Sequence, residues 1–237
     1  MRRLLTMSEA YRSVIARMNR TDGIVAIGVF VALLALYTGH EQLMLSGILR
    51  TRAAFNASQI AVAIIGLTVV AVVLRLRRQD LASVGLRREG LRRSLMLGLA
   101  AAGVLSAANV GLAYWQGARH LNTLEAIAQM TALFAFFAAE EELIFRGYLT
   151  ARLHGLISRT RVAQLLGVLF FVAAHLPGFL LPSPAEYLAT FDPYDALRLA
   201  ILLLVGYVYD TLYRATGSIA GCTAAHFLVN VSNCLLV

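Results

Sequence analysis

The sequence is poor in charged residues and in cysteine, and it contains no lysine. Charged residues make up 14% of the 237 residues and hydrophobic residues 59%, whereas roughly a quarter of an average soluble domain is charged. Together with a mean hydropathy of +0.71, this composition excludes an ordinary soluble domain and indicates a polytopic membrane protein. The two cysteines, Cys222 and Cys234, are too few for a disulfide framework or a paired-cysteine zinc motif.

Because lysine is absent, all 21 basic residues are arginine, and the net charge is +8. In a soluble protein this charge would suggest a nucleic-acid partner. Here the arginines cluster between apolar segments, which fits the topology of a membrane protein better. We therefore expect the lipid bilayer as a partner and no nucleic acid.

Apolar segments of roughly 20 residues predict membrane-spanning helices. There are seven such segments: Asp22–Gly39, Ser58–Leu74, Leu91–Ala113, Thr123–Leu149, Val162–Leu181, Ala196–Tyr213 and Gly217–Leu236. No internal repeat or domain boundary is apparent. We predict an all-α polytopic membrane bundle of seven or eight transmembrane helices, folded as a single domain over residues 1–237, with the motifs described below in residues 123–236.

The placement of arginine predicts the orientation of the chain. If the N-terminus is cytoplasmic, the inner segments hold sixteen arginines and the outer loops three, which fits the excess of positive charge on cytoplasmic loops. We expect a multi-pass protein of the cytoplasmic membrane with its N-terminus inside. The first apolar run, Gly23–Tyr37, lacks an obvious cleavage site, and the basic stretch before it favours a short amphipathic helix on the inner membrane surface.

Three consecutive carboxylates, Glu140 to Glu142, follow the uncharged stretch Ala126–Ala139. Ionisable groups in an apolar segment are costly, so they indicate a functional site with a nearby partner. Glu142 and Arg146 are four residues apart and would pair across one helical turn. Glu141 points about 100° away from Glu142, so that pair does not consume it.

Two later apolar segments contain histidines, His175 and His226, and Asn230 follows His226 on the same helical face. At 1.5 Å per residue, Glu141, His175 and His226 lie roughly 16, 21 and 14 Å from the cytoplasmic ends of their segments. These side chains can therefore meet at one depth in the inner half of the bilayer, provided that the helices pack together.

A carboxylate, two imidazoles and an amide in an apolar cavity suit hydrolysis. Glu141 could take a proton from water that His175 shares or orients, while His226 and Asn230 donate hydrogen bonds to an oxyanion. Alternatively, the same glutamate and two histidines (Glu141, His175 and His226) are three zinc ligands that keep a fourth position open for water. The spacing leaves both mechanisms open.

Three motifs occur in order on successive predicted helices: Glu141-Glu142-x-x-x-Arg146, Phe171-x-x-x-His175 and His226-x-x-x-Asn230. This arrangement resembles the CPBP family of intramembrane proteases, which includes the CAAX prenyl endopeptidases and the bacterial Abi-type proteins. The resemblance covers roughly residues 140–230. The resemblance implies that Glu141 is the catalytic glutamate and that Glu142 and Arg146 support it. It also implies that His175 is the partner of Glu141 and that His226 and Asn230 form the remaining polar wall.

The expected function is therefore an intramembrane endopeptidase that hydrolyses a peptide or membrane-protein substrate, CAAX-like or otherwise, through activated water. A zinc-assisted form would make it a metalloprotease. The alternative is a non-catalytic immunity or scaffold protein of the same family that keeps the polar cluster for binding. A third interpretation is a transporter in which the carboxylates relay protons. Taken singly, the ion pair and each histidine could also be purely structural.

Overall fold

The computed structural model describes residues 6–181 and 183–235, and all regular structure in this part is helical. The helices are α1 (Glu9–Ile15), α2 (Arg20–Leu45), α3 (Arg52–Leu76), α4 (Leu91–Trp115), α5 (Leu124–Glu142), α6 (Ala151–Leu153), α7 (Thr160–Leu180), α8 (Pro184–Thr190), α9 (Pro193–Thr216) and α10 (Ala220–Ser232). A 3-10 turn, Leu81–Val84, precedes α4, and a π-helical segment, Leu143–Thr150, follows α5. Arg2 and Arg3 of the predicted basic tail, and Leu236 at the end of the last predicted span, lie outside the described residues.

Five of these helices are long and apolar enough to cross a membrane: α2, α3, α4, α7 and α9. They correspond to five of the seven predicted spans, so the chain is a multi-pass helical membrane protein. The predicted sixth span was too short, because α9 extends from Pro193 to Thr216 rather than over Ala196–Tyr213. The count of seven or eight spans and the cytoplasmic N-terminus stay predictions.

The other two predicted spans correspond to α5 and α10, which depart from an ordinary span in different ways. The 19 residues of α5 include four glutamates, at positions 125, 140, 141 and 142. The 13 residues of α10 cover only about 20 Å, against about 30 Å for the hydrocarbon core of a bilayer. Both helices carry residues of the predicted site.

Side-chain caps determine where several helices begin. Asn19 and Asp22 form a reciprocal capping box at the start of α2, in which each side chain accepts the other's backbone N–H at 3.0 and 2.9 Å. Thr51 and Thr123 each accept a backbone N–H in the first turn of α3 and α5. These hydrogen bonds satisfy donors that a helix start leaves without an intrahelical partner.

The described chain divides into two compact units. The first comprises residues 6–16, 81–147 and 208–235, and within it α10 packs on α4 and α5. The second comprises residues 17–80 and 148–207, and within it α2 packs on α3, α6 and α7. The prediction of a single domain is not tested by this division.

Within the first unit, α4 and α10 touch through their backbones. A Cβ atom added at Gly98 would collide with the carbonyl group of Gly221, and one added at Gly221 would collide with the carbonyl oxygen of Ser94. The Gly221 N–H donates to Ser94 Oγ at 2.9 Å, and Ser94 Oγ donates to the Ser218 carbonyl at 3.1 Å. Small residues thus permit close approach and a hydroxyl links the two helices, as is common in membrane bundles.

The first unit also includes α1, whose Tyr11 and Val14 are fully buried. The Ser8 N–H donates to the Arg214 carbonyl at 2.9 Å, and the ring of Tyr11 meets that of Tyr213 edge-on at 5.1 Å. The apolar side of this helix therefore packs on the end of α9. The expected short helix is present, and its place on the inner membrane surface stays a prediction.

In the second unit, a polar network connects the start of α2, the end of α3 and α6. Asp22 Oδ1 accepts from Arg77 Nε at 3.0 Å and from Gln79 Nε2 at 2.9 Å. Gln79 Oε1 accepts from Arg152 Nη2 at 2.7 Å, and Arg152 is almost fully buried. The amide of Gln79 thus links a buried cation to a buried carboxylate, which satisfies both charged groups.

The contact between α4 and α10 predicts opposite effects for two similar substitutions. Gly98→Ala should destabilise the protein by about 1–3 kcal/mol, because its methyl group would overpack a backbone contact. Gly103→Ala on the same helix meets nothing within 4 Å, so it should be neutral or slightly stabilising. Thermal unfolding of the detergent-solubilised proteins measures both effects, and equal melting temperatures for the two variants would contradict the packing.

Candidate active site

The three glutamates lie where α5 ends and the backbone changes to a π-helical segment. Glu142 is fully buried, Glu140 is buried, and the side chain of Glu141 remains 23% exposed. The sequence predicted a regular α-helix through residue 149. This prediction was wrong from residue 143 onwards, where the backbone is π-helical. Such segments are rare and occur frequently at functional sites.

Gly147 shows how closely the first unit packs around this segment. A Cβ atom at Gly147 would lie 2.5 Å from the carbonyl oxygen of Val84, in the 3-10 turn. Only a residue without a side chain permits this approach. The turn before α4 therefore supports the backbone one residue beyond Arg146.

The predicted ion pair between Glu142 and Arg146 is present. Arg146 Nη1 lies 2.8 Å from Glu142 Oε1, and both side chains are buried to 2% exposure or less. The unit thus buries a carboxylate and a guanidinium together, which is tolerable only when the two are paired and hydrogen-bonded.

His226 from α10 completes the cluster. Its Nδ1 lies 2.8 Å from the same oxygen, Glu142 Oε1, and its Nε2 lies 4.0 Å from Glu141 Oε2. Since an ionised carboxylate only accepts, Nδ1–H donates to Glu142 and the other ring nitrogen is turned towards Glu141. A separation of 4.0 Å is too long for a direct hydrogen bond.

Asn230 follows His226 by one turn of α10 and is half-buried. Its side-chain amide makes no hydrogen bond to any residue between positions 6 and 235 that the structure describes. The amide is therefore available to a ligand on the same side of α10 as His226.

His175 belongs to the second unit, on α7. Its Nδ1 lies 2.8 Å from the Phe171 carbonyl, and the two rings meet edge-on at 4.7 Å. Because a carbonyl only accepts, Nδ1 carries the proton of this hydrogen bond, and Nε2 is the acceptor nitrogen of that tautomer. The Phe171-x-x-x-His175 motif thus fixes the orientation of the imidazole, while the approach of His175 to Glu141 stays a prediction.

Tyr209 is a site residue that the sequence did not indicate. Its ring stacks on the imidazole of His226 with centroids 5.0 Å apart and planes 24° apart. The guanidinium carbon of Arg146 lies 5.4 Å from the centre of the same ring. Tyr209 is one of several aromatic residues in its apolar segment, and only the packing of α9 on α10 distinguishes it.

The zinc alternative requires three ligands in one cluster. Among the described residues, no three His, Cys, Asp or Glu side chains are grouped so that they could hold a metal ion. The ligand set Glu141, His175 and His226 stays a prediction.

The part of the sequence that contains this cluster matches a known protein family. Residues 123–232 match the type II CAAX prenyl endopeptidase Rce1-like family. The matched segment runs from the cap of α5 to the end of α10, and it includes all six predicted site residues. This confirms the resemblance drawn from the three motifs and implies protease activity in general. No curated protein and no solved structure matches the chain.

Glu142 in this Rce1-like segment should contribute to stability as well as to activity. Glu142→Gln removes the carboxylate charge from the buried pair with Arg146, which should cost about 3 kcal/mol or more. The double variant Glu142→Gln with Arg146→Met removes both charges and should recover much of that loss. Thermal unfolding measures the effect, and Glu125→Gln, on the exposed first turn of α5, is the matched control. A double variant less stable than Glu142→Gln would contradict the pairing.

Tyr209 should act through its ring and not through its hydroxyl group. That hydroxyl is buried and has no hydrogen-bond partner in the described part of the chain, so Tyr209→Phe should be as stable as the parent or more stable. Tyr209→Leu removes the stacked ring and should lower both the melting temperature and the rate of peptide cleavage, the latter by about tenfold. Equal losses in the Phe and Leu variants would disprove the stacking role.

Proposed function

We propose that the chain is an intramembrane endopeptidase that cleaves a membrane-associated substrate of the CAAX type with water activated by Glu141. One observation carries this proposal. The fully buried Glu142 binds both Arg146 and His226, which leaves the half-buried Glu141 at 4.0 Å from the second nitrogen of the same imidazole. The match of residues 123–232 to the Rce1-like family supports it.

In this mechanism Glu141 acts as the general base. It takes a proton from water while the water oxygen attacks the carbonyl carbon of the scissile peptide. When the tetrahedral intermediate collapses, that proton passes to the nitrogen of the leaving amine. The side chain of Glu141 is partly exposed, unlike the fully buried ion pair beside it.

The negative oxygen of the intermediate needs hydrogen-bond donors already in position. Asn230 is available because no described side chain occupies its amide. His226, one turn before it on α10, would donate from Nε2–H of a ring protonated at both nitrogens, since its Nδ1–H donates to Glu142. Glu142 holds His226 through Nδ1 and Arg146 holds Glu142, and neither touches the substrate. They are therefore positioning residues.

His175 retains the role that the sequence predicts for it, which is to share or orient the attacking water. The hydrogen bond from its Nδ1 to the Phe171 carbonyl suits this role, because Nε2 is then the nitrogen that accepts from water. We also propose that the N-terminus is cytoplasmic, as the distribution of arginine indicates.

The test compares the purified full-length protein with Glu141→Gln on a panel of prenylated and unprenylated CAAX-type peptides. Loss of the base should reduce cleavage by about 10²–10⁴-fold while the melting temperature stays unchanged. Glu125→Gln makes the same change on the exposed start of α5 and should cleave normally. Metal content determined on each sample separates the zinc-assisted mechanism from the metal-free one.

Equal cleavage by Glu141→Gln and the parent protein would show that another residue activates the water. The non-catalytic immunity or scaffold function is correct instead if the parent protein and the Glu141→Gln variant bind a panel peptide equally well and neither cleaves it.

A further inference from the structure

A groove in the first unit lies outside the proposed active site. It encloses about 610 Å³ between one face of α5, one face of α10 and the loop of residues 85–91, within the range of cavities that bind small molecules. Ala139 and Leu143 line it from the α5 side, and Thr223 and Phe227 from the α10 side.

The groove and the catalytic glutamate occupy opposite sides of α5. Ala139 lines the groove, and Glu141, two residues later, points about 200° further round the helix. None of the described residues that line the groove is acidic, and His226 is not among them. A ligand in the groove would therefore contact neither the proposed base nor its histidine.

Two arginines, Arg87 and Arg88, form the rim of the groove on the loop side. Arg87 donates from Nη2 to the Ala82 carbonyl at 2.9 Å. Its Nε is buried and has no hydrogen-bond partner in residues 6–181 and 183–235. Arg88 is exposed and makes no side-chain hydrogen bond within the same residues. The rim thus offers unused guanidinium donors at the end of an apolar channel.

The loop that carries these arginines is fixed in place by a glycine at each end. Gly85 and Gly90 have φ values of +78° and +73°, a region that favours glycine. A Cβ atom at Gly85 would lie 2.5 Å from the ring of Tyr213, and the Gly85 carbonyl accepts from the Ile219 N–H at 3.2 Å. The rim is therefore formed before any ligand binds.

We propose that this groove binds one anionic phospholipid. The lipid phosphate would bind Arg87 and Arg88, because guanidinium groups match the geometry of phosphate oxygens. One acyl chain would lie along Ala139, Leu143 and Phe227. Charge complementarity favours a lipid over a neutral apolar ligand, and basic pockets between membrane helices commonly bind anionic headgroups. This proposal concerns binding and does not depend on the proposed proteolysis.

The bound lipid would contact both α5 and α10. These two helices carry Glu142 and His226, respectively. It would therefore stabilise the folded protein in proportion to its affinity. Phosphatidylglycerol should raise the melting temperature, and phosphatidylcholine, whose headgroup has no net charge, should raise it less.

The test measures retained phosphatidylglycerol and melting temperature for the full-length protein in mixed micelles. Arg87→Gln with Arg88→Gln should weaken phosphatidylglycerol binding by roughly tenfold to thirtyfold and remove the thermal shift. Arg75→Gln with Arg92→Gln removes two charges from exposed arginines that do not line the groove, and it should behave like the parent. Ala139→Leu keeps both arginines but fills the channel, and it should also reduce retention.

Three results would overturn the proposal. The first is equal retention of phosphatidylglycerol by the groove variant and its control. The second is a thermal shift with inorganic phosphate as large as that with phosphatidylglycerol, which would make the rim a simple anion site. The third is displacement of the lipid by a CAAX-type peptide, which would make the groove a substrate site.

Discussion

The structure of the first unit depends on one buried carboxylate. Glu142 is fully buried, and one of its oxygens contacts both Arg146 and His226 at 2.8 Å. An uncompensated charge at this position would cost several kcal/mol. Arg146 lies four residues further along the same stretch of chain, and α10 packs on α5 in the register that brings His226 to the same oxygen. The orientation of His226, the position of Glu141 beside it and the stacking of Tyr209 all follow from that register.

The surrounding packing is consistent with this constraint. Ser94 and Gly221 hold α10 against α4 through backbone contact, and Gly147 lets the turn before α4 approach the π-helical segment. Each of these contacts replaces side-chain volume with direct backbone approach, which gives the helices little freedom to slide. A site that must hold two carboxylates near one imidazole needs this kind of rigid support.

The sequence predicted the features that are determined within a single helix. Hydropathy located the five long apolar helices, and a spacing of four residues located the Glu142–Arg146 pair. The choice of Glu142 rather than Glu141 as the direct partner of His226 could not be predicted, because it depends on the rotation of α10 against α5. Tyr209 was missed for the same reason, since its role arises only where α9 packs on α10. The π-helical segment has no residue signature, and the need for glycine at position 147 becomes visible only where the turn at Val84 packs against it.

The short length of α10 has a consequence for the surrounding lipid. If α10 crosses the bilayer as the sequence predicts, its 13 residues leave about 10 Å of a typical hydrocarbon core unmatched. Such hydrophobic mismatch is relieved when the bilayer thins locally. Close to the start of α10, the hydroxyl groups of Ser94 and Thr216 are hydrogen-bonded to each other and to the Ser218 carbonyl. A thinned bilayer there would bring headgroups and water about 10 Å nearer to His226, so membrane thickness itself becomes a variable that governs hydration of the cluster.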